Sequence, residues 1–127
     1  MKKLEPVIKN KFGEKLDTWV EVPNGLVKAS VVMVHGFGTS KHETAHYFDD
    51  RSMALVGNNF RVIRFDLSGY GNSEGKQEDA CYSKHIGDLS CIIDYVKSQY
   101  SEPINIFAQS MGCFVTSLTN PTGITNT

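Results

Sequence analysis

Residues 104–115 read Ile104-Asn105-Ile106-Phe107-Ala108-Gln109-Ser110-Met111-Gly112-Cys113-Phe114-Val115, and this run decides the fold. Residues 103–107 have the short, largely apolar pattern of a strand buried on both faces of a parallel sheet. Residues 111–118 form an apolar helical stretch that stops at Asn120-Pro121. A strand that runs straight into a serine, with a helix starting straight after it, is a sharp turn. Ala108 and Gly112, two positions either side of the serine, are small enough to let strand and helix approach. Such a turn presents Ser110 Oγ and points helix N-terminal amides at developing negative charge, which makes Ser110 a candidate nucleophile. The local alternative is a plain helix N-cap, a role serine often takes.

Working outward, the same alternation recurs. Residues 29–34 are β-branched and nearly all apolar, and they run directly into His35-Gly36-Phe37-Gly38. Residues 44–56 have helical spacing with a stop at Gly57-Asn58-Asn59, and residues 60–65 are a second strand of buried type. A Gly- and charge-rich loop fills residues 66–79. The helix at 83–100 carries Ile86, Leu89, Ile93 and Val96 on one face. Ahead of all this, residues 5–23 suggest a hairpin broken at Gly13-Glu14, with 16–22 as its better arm. Strand and helix alternating three times after an opening antiparallel hairpin predicts an α/β fold, a mostly parallel sheet flanked by helices.

Ligands in such sheets bind beyond the carboxyl ends of the strands. The loops leaving those ends begin at His35, Asp66 and Gln109. In the first, Gly36 and Gly38 allow close backbone approach, so the amide of Phe37 pairs naturally with that of Met111 as two donors to an oxyanion. His35 is read as a structural loop residue rather than a base. The literal G-x-S-x-G of Gly71-Asn72-Ser73-Glu74-Gly75 lies well past its strand and leads into no periodic helix, so it reads as a surface loop. A dinucleotide fingerprint fails because Lys41 stands where its third glycine belongs, and no phosphate loop occurs.

Composition bounds the rest. The 127 residues carry 13 Lys+Arg against 14 Asp+Glu, which gives no basic excess for nucleic-acid binding. The longest wholly apolar run, Val31-Val32-Met33-Val34, is far short of the ~20 residues of a membrane span. Cys81, Cys91 and Cys113 match no metal-ligand spacing and are expected to be buried free thiols in a reducing, cytoplasmic setting. No cofactor or metal is expected.

The three loops in this order, with their strands, resemble the α/β-hydrolase superfamily. The nearest likeness is to the serine aminopeptidase S33 group, with its monoacylglycerol-lipase-like and cinnamoyl-esterase-like members. The resemblance implies a serine ester hydrolase acting on a small-molecule ester. It implies Ser110 as nucleophile, the Phe37 and Met111 amides as oxyanion hole, and His35, Gly36, Gly38 and Gln109 beside the substrate. It implies Asp66 as a loop-organising acceptor rather than a triad acid. Ala108 replaces the first glycine of the family's elbow.

In that family an acid and then a histidine follow the serine, yet no Asp, Glu or His follows Ser110 here. Residues 1–118 are therefore expected to be the N-terminal part of the domain, truncated before two triad members, with 119–127 a polar Thr-rich tail. The strand at 104–107 would then be left as an apolar edge. His42, His46 and His85 are expected at the surface. The competing reading is a non-catalytic remnant serving as a binding or partner-completed module. Oligomeric state, lid and ester specificity are not legible.

Overall fold

The structure, a computed structural model, describes residues 1–119 and 124–126. The elements follow the expected alternation: β1 (Lys2–Leu4), β2 (Ile8–Lys9), β3 (Lys15–Leu16), β4 (Thr18–Val22), β5 (Ser30–Val34), α1 (Tyr47–Gly57), β6 (Arg61–Phe65), α2 (Tyr82–Gln99), β7 (Ile104–Ala108), α3 (Met111–Thr119) and β8 (Ile124–Asn126). The main sheet has the order β1-β4-β6-β5-β7-β8. Pairing is parallel from β6 through β5 and β7 to β8, and antiparallel from β6 through β4 to β1.

Two details depart from the sequence reading. The opening hairpin exists only as the short β2–β3 ribbon, Ile8 opposite Leu16, outside the main sheet. Its longer expected arm, β4, pairs instead with β1 and β6, because Val20 and Val22 bury against sheet neighbours. The expected bare edge at β7 is not bare: β8, from within the expected polar tail, pairs parallel with it at Ile104 and Asn105. Residues 120–123 and 127 of that tail lie outside the described residues.

Every residue of β5 and β6 is buried: β5 reads as an apolar run after Ser30, while β6 carries Arg61 and Arg64 among its apolar residues, each paired with a glutamate. Alternation divides their side chains between two layers. Val32, Val34, Ile63, Phe65 and Ile106 pack under α2 and α3 with Leu89, Ile92, Ile93, Val96 and Val115. Met33 and Val62 face the other way onto Phe48 and Val56 of α1, with Phe107 beside them. Each fully buried aliphatic contributes about 1.5–3 kcal/mol of transfer free energy. Among the described residues no helix is long and apolar enough to cross a membrane.

A buried ion pair closes the carboxyl edge of the sheet. Lys41 is 1% exposed; its Nζ lies 2.6 Å from Asp17 Oδ2 and 3.1 Å from Asp66 Oδ2. Asp66 also accepts the Lys41 N–H at 2.6 Å and the Asn72 N–H at 2.9 Å. Burial opposes the Lys41 charge, but Asp17 and Asp66 outweigh it and hold its pKa above the ordinary lysine range. Removing one partner strands the other charge. Lys41→Met is expected to lower unfolding free energy by about 3 kcal/mol, and adding Asp66→Asn to recover part of that loss, both read from urea denaturation.

Candidate active site

Parallel pairing brings the ends of β5, β6 and β7 to one edge, so the loops starting at His35, Asp66 and Gln109 are neighbours. Ser110 stands between β7 and α3 with φ at +53°, a left-handed conformation that serine seldom takes. The turn is held by Gln109 N–H on the Val34 carbonyl (3.0 Å), Gly112 N–H on Gln109 (2.8 Å) and Cys113 N–H on Ser110 (2.9 Å). Gly112 has no room for a side chain, since a Cβ there would sit 2.8 Å from the His35 carbonyl and closer still to that of Val34. Gly36 is nearly as crowded: a Cβ there would meet Ser110 Cβ at 3.2 Å. The His-Gly loop and the serine turn are thus in contact through their smallest residues.

Ser110 is exposed, and its hydroxyl makes no hydrogen bond among the described residues. The N–H groups of Phe37 and Met111 likewise donate to nothing there, Met111 being the first residue of α3. Phe37 is 70% exposed, with its ring edge-on to Tyr70 at 6.1 Å. A cavity of about 590 Å³ opens beside these two residues, walled also by Tyr70, Tyr82 and His85. Gln109 lines a second one of about 310 Å³, with Glu43 and Tyr47.

Around the serine, polar groups are committed to holding loops. His35 is fully buried, and its Nε2 accepts the Leu67 N–H at 3.0 Å. That places the ring proton on Nδ1, which donates to the Gly36 carbonyl at 2.7 Å. Glu43 Oε2 accepts the Gly36 N–H at 2.7 Å and the Thr39 hydroxyl at 2.9 Å. Burial pushes the Glu43 carboxyl up, but the bonds from Gly36, Thr39 and Thr44 outweigh it and hold its pKa below the ordinary range. Asp66 takes the acceptor position expected of it. Ser73 donates to the Asp66 carbonyl and accepts the Asp17 N–H at 2.8 Å, so the literal G-x-S-x-G serine is a loop staple.

The other histidines divide. His42 and His46 each meet a carboxylate oxygen of Asp49, at 2.7 and 2.9 Å; His46 is exposed and His42 half-buried. Asp49 is also paired with Arg64, which binds Glu21 as well. Burial of Asp49 is outweighed by hydrogen bonds from Arg64, His42 and His46, which hold its carboxyl far below the usual range. His85 corrects the expectation of a surface residue: it is 1% exposed. Both its ring nitrogens lack a hydrogen-bond partner of proper geometry, and its ring lies 5.6 Å from that of Tyr70. It falls on the same α2 face as Leu89 and Ile92, a placement its polarity masks in the sequence. The cysteines are free but not buried: Cys81 and Cys113 are exposed and Cys91 is half-buried. Glu43 and Tyr70 were not singled out from the sequence, because their contacts with the Gly36–Gly38 backbone depend on loop geometry that no spacing encodes.

A profile of the serine aminopeptidase S33 family matches residues 25–122. The fold superposes on the Pyrococcus furiosus esterase Pf2001 with a TM-score of 0.82 and 25% identity, over 97% of this chain and 46% of that one. It superposes on Est1E of Butyrivibrio proteoclasticus, solved with ferulic acid, with a TM-score of 0.81 and 24% identity, over 90% and 46%. A thermostable carboxyl esterase of Bacillus coagulans gives 0.81 and 21%, over 98% and 42%. The chain therefore spans about half the length of the structures it matches. No curated protein sequence matches it.

The buried histidines make stability depend on pH. Burial holds both His35 and His85 below the ordinary imidazole pKa of about 6.5. Below that pH the unfolded chain takes up protons that the folded one refuses, so stability falls as pH drops. His85→Phe, which removes one such group from an apolar wall, is expected to make the loss between pH 6.5 and 5 shallower, by on the order of 1 kcal/mol at pH 5. Urea midpoints across that range measure it.

Proposed function

The chain belongs to the serine aminopeptidase S33 family, and on that premise we propose that it carries the nucleophile and oxyanion hole of a serine esterase. Ser110 Oγ attacks the carbonyl carbon of a small-molecule ester, and its proton passes to a general base. The carbonyl oxygen becomes an oxyanion held by the N–H groups of Phe37 and Met111, and the alcohol departs once protonated. Water then releases the acid from the acyl-serine.

The observation that carries this reading is the turn itself. Ser110 is held at φ +53° and exposed, beside two N–H groups that bind nothing among the described residues. Strain of that kind costs on the order of 1–3 kcal/mol and persists where the surroundings enforce it, here through Gly112 on the β5 carbonyls. Esterase likeness at 25% identity points the same way. We assign Gly36, Gly38 and Gln109 to the surroundings of the ester, with His35, fully buried, holding the loop behind them.

None of the four histidines hydrogen-bonds the Ser110 hydroxyl. His35 is committed through both nitrogens, whereas His42 and His46 meet Asp49 through Nδ1 alone. His85 lies sealed in the wall of the larger cavity. The proposal accordingly assigns base and acid to chain outside these 127 residues. This same observation favours the second reading, in which the 127 residues alone are a non-catalytic half-domain.

An alkyl fluorophosphonate applied to the full chain tests the assignment. A bond forms between Ser110 Oγ and phosphorus, the P–F bond breaks, and fluoride leaves as the serine proton is taken up by base or solvent. Labelling of Ser110, abolished in Ser110→Ala, is the expected result. In a chain that also supplies the base and acid, ester turnover of that variant should fall by roughly a millionfold. Labelling elsewhere, or labelling that survives the substitution, overturns the reading.

A further inference from the structure

Glu43 occupies a backbone conformation that its side chain gives it no reason to prefer. Its φ of 59° and ψ of 180° lie in a region that is essentially glycine's own. Two of the next three residues, Ala45 at φ 54° and His46 at φ 60°, are also left-handed without being glycine. Three such residues in four is a concentration of strain, and it adjoins the loop that faces Ser110.

What the strained backbone achieves is a contact. It turns the Glu43 carboxylate back on the loop seven residues earlier, where Oε2 accepts the Gly36 N–H at 2.7 Å and the Thr39 hydroxyl at 2.9 Å. Oε1 meets the Thr44 N–H at 3.2 Å. On the other side of Gly36, its carbonyl accepts from His35 Nδ1 at 2.7 Å and lies 3.0 Å from the Thr39 hydroxyl. Both peptide planes flanking Gly36 are therefore pinned, one by its N–H and one by its C=O. A trans peptide places its N–H opposite its C=O, so fixing the Gly36 carbonyl fixes the direction of the Phe37 N–H.

We propose that Glu43 is a positioning residue of the oxyanion hole: its carboxylate holds the peptide entering Gly36 by its N–H while His35 holds the peptide leaving Gly36 by its C=O, and the two together aim the Phe37 N–H at the oxyanion formed over Ser110. The proposal rests on the reading of Ser110 as nucleophile. Because the hydrogen bonds to Glu43 hold its pKa below the ordinary carboxylate range, the clamp stays charged at neutral pH. Glu43 touches neither substrate nor nucleophile; it acts through Gly36 and Phe37. A donor displaced by an ångström loses much of its effect on a transition state while leaving ground-state binding almost untouched.

The test separates positioning from folding. Glu43→Gly removes the carboxylate and also suits the local backbone, so this variant should keep the wild-type urea midpoint or exceed it. In the full chain, alkyl fluorophosphonate labelling of Ser110 is resolved into a maximal rate and a half-saturating concentration. Glu43→Gly is expected to lower the maximal rate by ten- to a hundredfold and to change half-saturation less than twofold. Glu43→Gln, which keeps an acceptor oxygen for the Gly36 N–H, should return to within about threefold of wild type. A maximal rate unchanged in Glu43→Gly overturns the proposal. A loss expressed wholly in half-saturation, or a Gln variant no better than Gly, does so as well. If wild-type Ser110 takes no label, the nucleophile reading falls and the clamp falls with it; labelled wild type with an indifferent Glu43→Gly removes the clamp alone.

Discussion

Asp66 is a carboxylate with no exposure to solvent, and the carboxyl edge of the sheet is organised around it. A buried charge is tolerated only when paired and hydrogen-bonded. The partners come from three separate segments: Lys41 in the loop after β5, Asn72 in the loop after β6, and Asp17, just before β4, through the shared lysine. The loops that would form the walls of a site are therefore tied to one another before any ligand arrives. The lysine's own position is tuned from outside by the Trp19 ring, which lies 5.0 Å from its Nζ and 4.9 Å from the Arg64 guanidinium. Arg64, on β6, in turn reaches Glu21 on β4 and Asp49 on α1, so charge pairs tie these three elements together.

Against that anchored edge, the serine turn is held by exclusion rather than by charge. Gly112 lets α3 rest on the carbonyls that end β5, and Gly36 lets the neighbouring loop close on Ser110 Cβ. Hydrogen bonds to those loops are satisfied by the buried His35, which accepts from Leu67, and the half-buried Glu43, which accepts from Gly36, while the amides of Phe37 and Met111 are left unengaged among the described residues. Positive φ angles at Ser110 and Glu43 accompany these contacts. Strain at functional sites persists only when the surroundings over-determine it, and here both loops do so.

The sheet was legible in the sequence because its central strands are buried on both faces. Apolar residues dominate 30–34, 61–65 and 104–108, broken by Arg61, Arg64 and Asn105, and the boundaries read from the sequence fall within a residue of the structure. Ser110 was legible because strand, serine and helix abut with small residues at fixed offsets. What stayed hidden was whatever depends on distant partners. β1 pairs across sixteen residues with β4, and β8 adds to β7 through three polar-flanked positions, neither of which has a pattern of its own. His85 looked like a surface residue because polarity was taken as exposure, whereas the helical face it shares with Leu89 decides its burial. The cysteines failed in the opposite sense, since cysteine's usual burial says nothing about the exposed α2 start, where Cys81 lies. Glu43 had no signal at all, because its role depends on a φ that only glycine would have advertised.

The strand order supplies the remaining step. From β5 the chain moves to β6 on one side, then crosses back to β7 on the other. A reversal of that kind leaves a crevice beyond the central strand, where the loops after β5 and β7 diverge to either side of it. The His-Gly loop leaves β5 and the serine turn leaves β7, and the register sets Val34 beside Ala108, so the two emerge level with one another. The approach of Gly36 to Ser110 thus follows from topology and register, with side chains needed only to keep the space clear. Any sequence laid on this sheet would bring those two backbone segments together; this one fills the meeting point with two glycines, an exposed serine hydroxyl and a carboxylate on the Gly36 N–H.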